Sequence, residues 1–143
     1  MEKSEKPQPG QTELTLALEY FQRAHTRFKE VLETKDPINA DVLRDATVQR
    51  FEFTFEMCWK TLKRFLYADG IRVKTPRDVF KEAFRLGWLE EGDTFWSKML
   101  EDRNLTSHTY DQEIALDLRS RLPSYEKAFA RLVGLLAGKV AEG

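Results

Sequence analysis

The segment Glu101-Asp102-Arg103-Asn104-Leu105-Thr106-Ser107-His108-Thr109-Tyr110-Asp111 gathers most of the chemically versatile side chains of this chain. Arginine binds phosphate through its planar fork. A neutral histidine can take a proton from a ribose 2′-hydroxyl and, once charged, return one to a leaving oxygen. Arg103 and His108 together would therefore be enough machinery for metal-independent RNA cleavage. On a regular helix Asn104 and His108 are four apart and share a face. Arg103 and His108 are five apart, about 140° around the axis. They could converge only through long side chains, a distorted helix end or a second copy related by a two-fold axis. The same residues also allow a quieter alternative. Ser107 and Asp111 would cap helix ends, and Arg103 would pair with a surface carboxylate.

Other reactive residue types are few. His25 lies between Phe21 and Phe28 on an apolar stripe and reads as a buried or interface histidine. Cys58, the one cysteine, falls within a second stripe and reads as packing. Two histidines make a metal cluster improbable, and Asp93, Glu101 and Asp102 have no recognised metal spacing. There is no HExxH, P-loop or dinucleotide-binding GxGxxG motif. No metal and no cofactor are expected. Arg50, Lys60, Lys63 and Arg64, followed by Arg72, Lys74 and Arg77, form the most basic neighbourhood. It could face RNA, a nucleotide or a protein partner, or it could be a solvated helix face. Phe51, Phe55 and Trp59 could stack on bases, but their helical spacing favours packing.

The elements that must position these residues are helical. Leu14, Leu18, Phe21, His25, Phe28 and Leu32 step by 4, 3, 4, 3 and 4, which predicts a helix from about Thr12 to Glu33. Asp36-Pro37 ends it. Val48, Phe51, Phe55, Cys58, Leu62 and Phe65 repeat the pattern and predict a long helix over Ala40 to Ala68, closed by Asp69-Gly70. Thr75-Pro76 reads as an N-cap followed by proline at the first helical position, with Val79, Phe80, Ala83, Phe84 and Leu86 inward and Gly87 closing. Gly92-Asp93 opens a helix that runs into the Arg103–His108 region. A last helical region starts near Asp111, and Pro123 predicts a kink or a break within it.

The whole is an all-α chain, a helical bundle with an additional short helix. A single folded unit is expected over 12–138, with tails at 1–11 and 139–143. Of 143 residues, 41% are hydrophobic and 33% charged, a globular composition. The formal net charge is -1, which excludes a generally basic nucleic-acid footprint but leaves room for a local one. No apolar run approaches the ~20 residues of a membrane span. The N-terminus lacks a signal peptide's apolar segment, so a cytoplasmic location is expected.

Three blocks carry a family resemblance. Gln49-Arg50-Phe51-Glu52-Phe53-Thr54-Phe55-Glu56 leads into Trp59-Lys60-Thr61-Leu62-Lys63. Pro76-Arg77-Asp78-Val79-Phe80-Lys81-Glu82-Ala83-Phe84 follows, and then Glu101 to Tyr110. In this order they resemble the nucleotidyltransferase substrate-binding protein family of the HEPN superfamily, over about Leu14 to Leu136. The resemblance implies an up-and-down four-helix bundle, a homodimer that partners a minimal nucleotidyltransferase. It also implies kinship with HEPN RNase toxins, whose Arg-x4-His-x-Tyr motif is matched by Arg103, His108 and Tyr110. On that pattern Arg103 and His108 would be the catalytic pair. Asn104 would be a polar helper, and Asp102 would orient Arg103. Tyr110 would be the hydroxyl that the transferase modifies with AMP, silencing the toxin. Aromatic and basic residues of the second helix would support the dimer cleft or the partner surface.

Overall fold

The computed structural model describes residues 9–142, and every regular element among them is helical. The helices are α1 (Pro9–Glu33), α2 (Ala40–Ala68), α3 (Pro76–Arg85), α4 (Asp93–Leu105) and α5 (Gln112–Glu142), with a 3₁₀ turn over Thr106–His108. α1 packs along α2 and α5, α3 lies on α2 and α4, and α4 reaches α5, which closes the bundle. The predicted bounds of α2 coincide with the observed ones. α1 starts three residues before Thr12, and α5 continues to Glu142, so 9–11 and 139–142 are helical where tails were expected. The remainder of those tails lies outside the described residues. The two ends meet: Gln11 Nε2 donates to the Val140 carbonyl at 2.9 Å.

The predicted stripes form one core. Phe21, Phe28, Phe51, Phe55, Leu62 and Phe129 are essentially inaccessible to solvent. Phe51 is central, stacked on Tyr125 with centroids 5.5 Å apart and tilted against Phe28 and Phe129 at 6.0 and 6.5 Å. Each such ring contributes about 1.5–3 kcal/mol through burial alone. Phe53, between the two buried phenylalanines, is 51% exposed, as a helical rather than a strand period requires. His25 is half-buried and its Nε2 lies 2.7 Å from Glu126 Oε2, joining α1 to α5. Cys58 is fully buried, and burial pushes its thiol well above the usual range, so it packs and does not react.

The ends of the elements follow local chemistry. Gly70 has φ +83° and Gly87 φ +80°, a region that side chains rarely tolerate. At each, two backbone N–H groups return to the last helical carbonyls: Gly70 to Tyr67 and Ile71 to Leu66, Gly87 to Phe84 and Trp88 to Ala83, all at 2.9 Å. Thr75 Oγ1 accepts from the Asp78 N–H at 3.2 Å, the predicted cap of α3. One expectation fails. Phe84 and Leu86, assigned to the inward face of α3, are exposed, because that ten-residue helix turns only Val79, Phe80 and Ala83 to the core. Of the kink or break expected at Pro123, the break does not occur: α5 runs through the proline as one helix. Leu118 and Leu122 before the proline, and Tyr125 and Phe129 after it, are all buried. That packing on both sides outweighs the lost hydrogen bond.

Candidate functional site

Asp102 and Arg103 are neighbours at the end of α4 that face opposite ways. Asp102 is fully buried. Its carboxylate accepts from Arg121 Nε and Nη2 at 2.6 and 2.8 Å and from the Tyr125 hydroxyl at 2.5 Å. The carboxylate holds the Arg121 guanidinium charged, its titration pushed further up. Burial first, then the adjacent Asp102 carboxylate, pushes the Tyr125 phenol well above the ordinary tyrosine range, so it remains a donor. Asp102, expected to orient Arg103, bonds instead to Arg121 and Tyr125. Asp102 ties α4 to α5.

Arg103 turns instead towards α2. Its side chain is 31% exposed, with Nη1 3.4 Å from Glu52 and Nε 3.5 Å from Glu56. Nε is buried and makes no hydrogen bond. Nη1 donates to Thr106 Oγ1 at 3.2 Å, and that hydroxyl sits 2.7 Å from Glu52 and 2.8 Å from the Arg103 carbonyl. Two distant carboxylates and one hydroxyl hold this guanidinium loosely. A phosphate offering two oxygens in its plane would compete well for it.

At Thr106 the α-helix gives way to the 3₁₀ turn that carries His108, so regular-helix projections stop at Leu105. A distorted helix end was one of the three routes by which Arg103 and His108 could converge; within this chain Arg103 meets Glu52, Glu56 and Thr106, whereas His108 meets Tyr110. His108 is exposed, and its Nδ1 lies 3.2 Å from the Tyr110 hydroxyl. Tyr110 is 81% exposed, the most open large ring among the described residues. Asn104 is also exposed. Asp111 accepts from the backbone N–H groups of Glu113 and Ile114 at 3.0 and 3.3 Å and so starts α5. Asp111 as a cap and Arg103 beside carboxylates were both features of the quieter alternative, and both are present.

The four basic residues of α2 singled out from the sequence, Arg50, Lys60, Lys63 and Arg64, divide into two sets. Arg50 joins Gln49, Glu52, Phe53, Glu56 and Arg103 around a depression of about 450 Å³. Lys60, Lys63 and Arg64 line a separate groove of about 820 Å³ between α1 and α2. Glu52, Glu56 and Thr106 around Arg103, and Arg121 and Tyr125 around Asp102, were not singled out from the sequence. Glu52 with Glu56 and Arg121 with Tyr125 are four apart on their helices, which gives each pair a shared face. Nothing in the sequence says which distant residue that face meets. Among the described residues, no three His, Cys, Asp or Glu side chains are grouped to hold a metal. No helix among them is long and apolar enough to cross a membrane.

Known proteins share this arrangement of helices. A protein from Thermus thermophilus has a crystal structure that superposes with a TM-score of 0.75 at 36% identity, covering 81% of this chain and 98% of that one. A Haemophilus influenzae structure, described as revealing the fold of a substrate binding domain of a nucleotidyltransferase, superposes at 0.64 with 26% identity, covering 89% and 98%. A Haemophilus influenzae protein named probable ribonuclease HepT is 35% identical over 91 residues, 59% of this chain. The chain spans about three-fifths of that relative, 61% of its length. The family model described as nucleotidyltransferase substrate binding protein like matches residues 16–137, from the first stripe of α1 almost to the end of α5. With nearly the whole bundle inside that match, the chain belongs to the nucleotidyltransferase substrate-binding protein-like family.

Proposed function

We propose that this protein is a helical subunit that binds a minimal nucleotidyltransferase, or that enzyme's nucleotide substrate, through the end of the bundle bearing Arg103, His108 and Tyr110. The observation that carries this reading is Tyr110. Its ring is 81% exposed, outside the core and beside His108, as suits a side chain presented to a second protein. Membership of the substrate-binding family supports it. The test is co-expression with a minimal nucleotidyltransferase from the same genome. A complex should co-elute in size exclusion, and Tyr110→Ala should weaken it at least tenfold. Two separate peaks for the unmodified pair, together with no binding of ATP by the chain alone in equilibrium dialysis, would end this reading.

A second reading, an RNase toxin neutralised by AMP addition, draws on the state of His108. With Nδ1 engaged by the Tyr110 hydroxyl, Nε2 is the nitrogen left for a substrate. His108 would take the 2′-hydroxyl proton as that oxygen attacks phosphorus, and Arg103 would hold the non-bridging oxygens. The 5′-oxygen would leave and take up a proton. The name of the HepT relative favours this reading. Neutralisation would form a bond from the Tyr110 oxygen to the α-phosphorus of ATP held by the transferase. The bond to the β-phosphate would break, pyrophosphate would leave, and the phenolic proton would go to base. Incubation with cellular RNA should give fragments that His108→Ala does not. Intact mass should rise by one AMP with transferase and ATP, and stay unchanged for Tyr110→Phe. Unchanged RNA beside a tight complex leaves the binding subunit alone standing.

A further inference from the structure

Arg103 does not line the groove of about 820 Å³ between α1 and α2, and neither reading above uses it. Its aromatic faces are Trp59 and Tyr67, and its cations are Lys60, Lys63, Arg64, Arg72 and Lys74. Glu13 is the single acid in its lining. In a chain of net charge -1 this is a strong local excess of positive charge. Arg64 is 3.3 Å from Glu13, and Lys60 is 3.8 Å from Glu56. Lys63 and Arg72 lie instead over rings, 5.9 Å from the Trp59 centroid and 5.1 Å from the Tyr67 centroid. Tyr67 is exposed and Trp59 is half-buried with one side against the core, so each ring comes with its own cation, and Lys74 adds another.

A ring beside a cation suits a base joined to a phosphate. An acidic peptide would use the cations but would leave the ring faces without a role. The spacing separates a strand from a mononucleotide. Trp59 and Tyr67 are eight residues apart on one helix, about 12 Å along its axis. Successive bases of a stacked strand rise about 3.4 Å. One base cannot reach both rings, whereas bases a few nucleotides apart can. The groove also adjoins the Arg103 site through one carboxylate. Glu56 Oε1 accepts from Trp59 Nε1 at 3.2 Å while Oε2 lies 3.5 Å from Arg103 Nε.

We propose that this groove binds a short single-stranded RNA segment, with bases on Trp59 and Tyr67 and phosphates on Lys63, Arg72 and Lys74. The proposal stands apart from transferase docking and from RNA cleavage. The probe is therefore a fluorescein-labelled 2′-O-methyl hexauridylate, which lacks the hydroxyl that cleavage would use. Anisotropy with the full chain should show saturable binding. With three phosphates engaged, log affinity should fall against log salt with a slope of about −2. Tyr67→Ala should weaken binding about five- to a hundredfold. The double variant Arg72→Ala/Lys74→Ala should weaken it at least tenfold and flatten the slope. All three side chains are exposed, so circular dichroism should report an intact fold. Absence of saturable binding would overturn the proposal, as would indifference to both variants. Equal competition by ATP would assign the groove to a mononucleotide, and equal competition by oligoglutamate to an acidic protein segment. Either result overturns the RNA assignment. Co-elution of the double variant with the transferase would show that such a failure leaves the docking reading untouched.

Discussion

Two adjacent residues divide the work at the end of α4, and their removal should differ sharply in cost. Asp102 is inaccessible and satisfies both the Arg121 fork and the Tyr125 hydroxyl. Asp102→Ala strands a buried phenol and a guanidinium. Because the Arg121 side chain is 32% exposed and can turn to water, the cost should be about 3 kcal/mol, near the low end for a broken buried pair. Arg103 makes only ion-pair contacts of 3.4 and 3.5 Å beside its bond to Thr106, on a partly exposed side chain. Arg103→Ala should cost less than about 1 kcal/mol. Urea unfolding of the two variants checks both figures. A loss of several kcal/mol for Arg103→Ala would mean that this side chain is held for the fold, and the case for its role in phosphate binding would weaken accordingly.

At the scale of elements, what could be read in advance was whatever depends on neighbours in sequence. The 3-and-4 stepping from Val48 to Phe65 fixed the face of α2, and the Thr75-Pro76-Asp78 cap and the Gly70 and Gly87 stops fixed ends, because each is a local backbone event. Orientation of the polar residues was not legible. Asp102 meets Arg121 and Tyr125 on another helix, and Arg103 meets Glu52 and Glu56 on a third. Those meetings depend on how the helices rotate against one another, which no local pattern encodes. Pro123 is the clearest conflict between local preference and packing. It sits inside α5 on the exposed side, while its neighbours on the core face are buried. Pro123→Ala would restore an N–H donor for the Arg119 carbonyl and remove the ring clash. It should stabilise the protein by about 1–3 kcal/mol and raise the melting temperature by several degrees. Arg121 and Tyr125 flank the proline and hold Asp102, so a lower melting temperature would show that a bend at Pro123 is needed to bring them there.

For the whole molecule, the question is what covers the face that α2 turns away from its own core. Phe53 is 51% exposed there, and it lines the same depression as Arg50 and Arg103. An aromatic ring beside loosely held cations is a poor solvent face and a good centre for an interface, where aromatic and arginine side chains dominate the binding energy. A two-fold axis through this depression would bring two Arg103 side chains to one cleft, because an isologous contact repeats each residue across it. Light scattering should then give twice the chain mass at micromolar concentration. Phe53→Glu should give a monomer with an unchanged helical spectrum, since the substituted side chain already meets water and its removal leaves the core intact. Any RNA cleavage should fall with the dimer in that variant, although Arg103 and His108 themselves are untouched. A monomeric unmodified protein would remove the second copy from the site, and Arg103 and His108 would then have to act within one bundle.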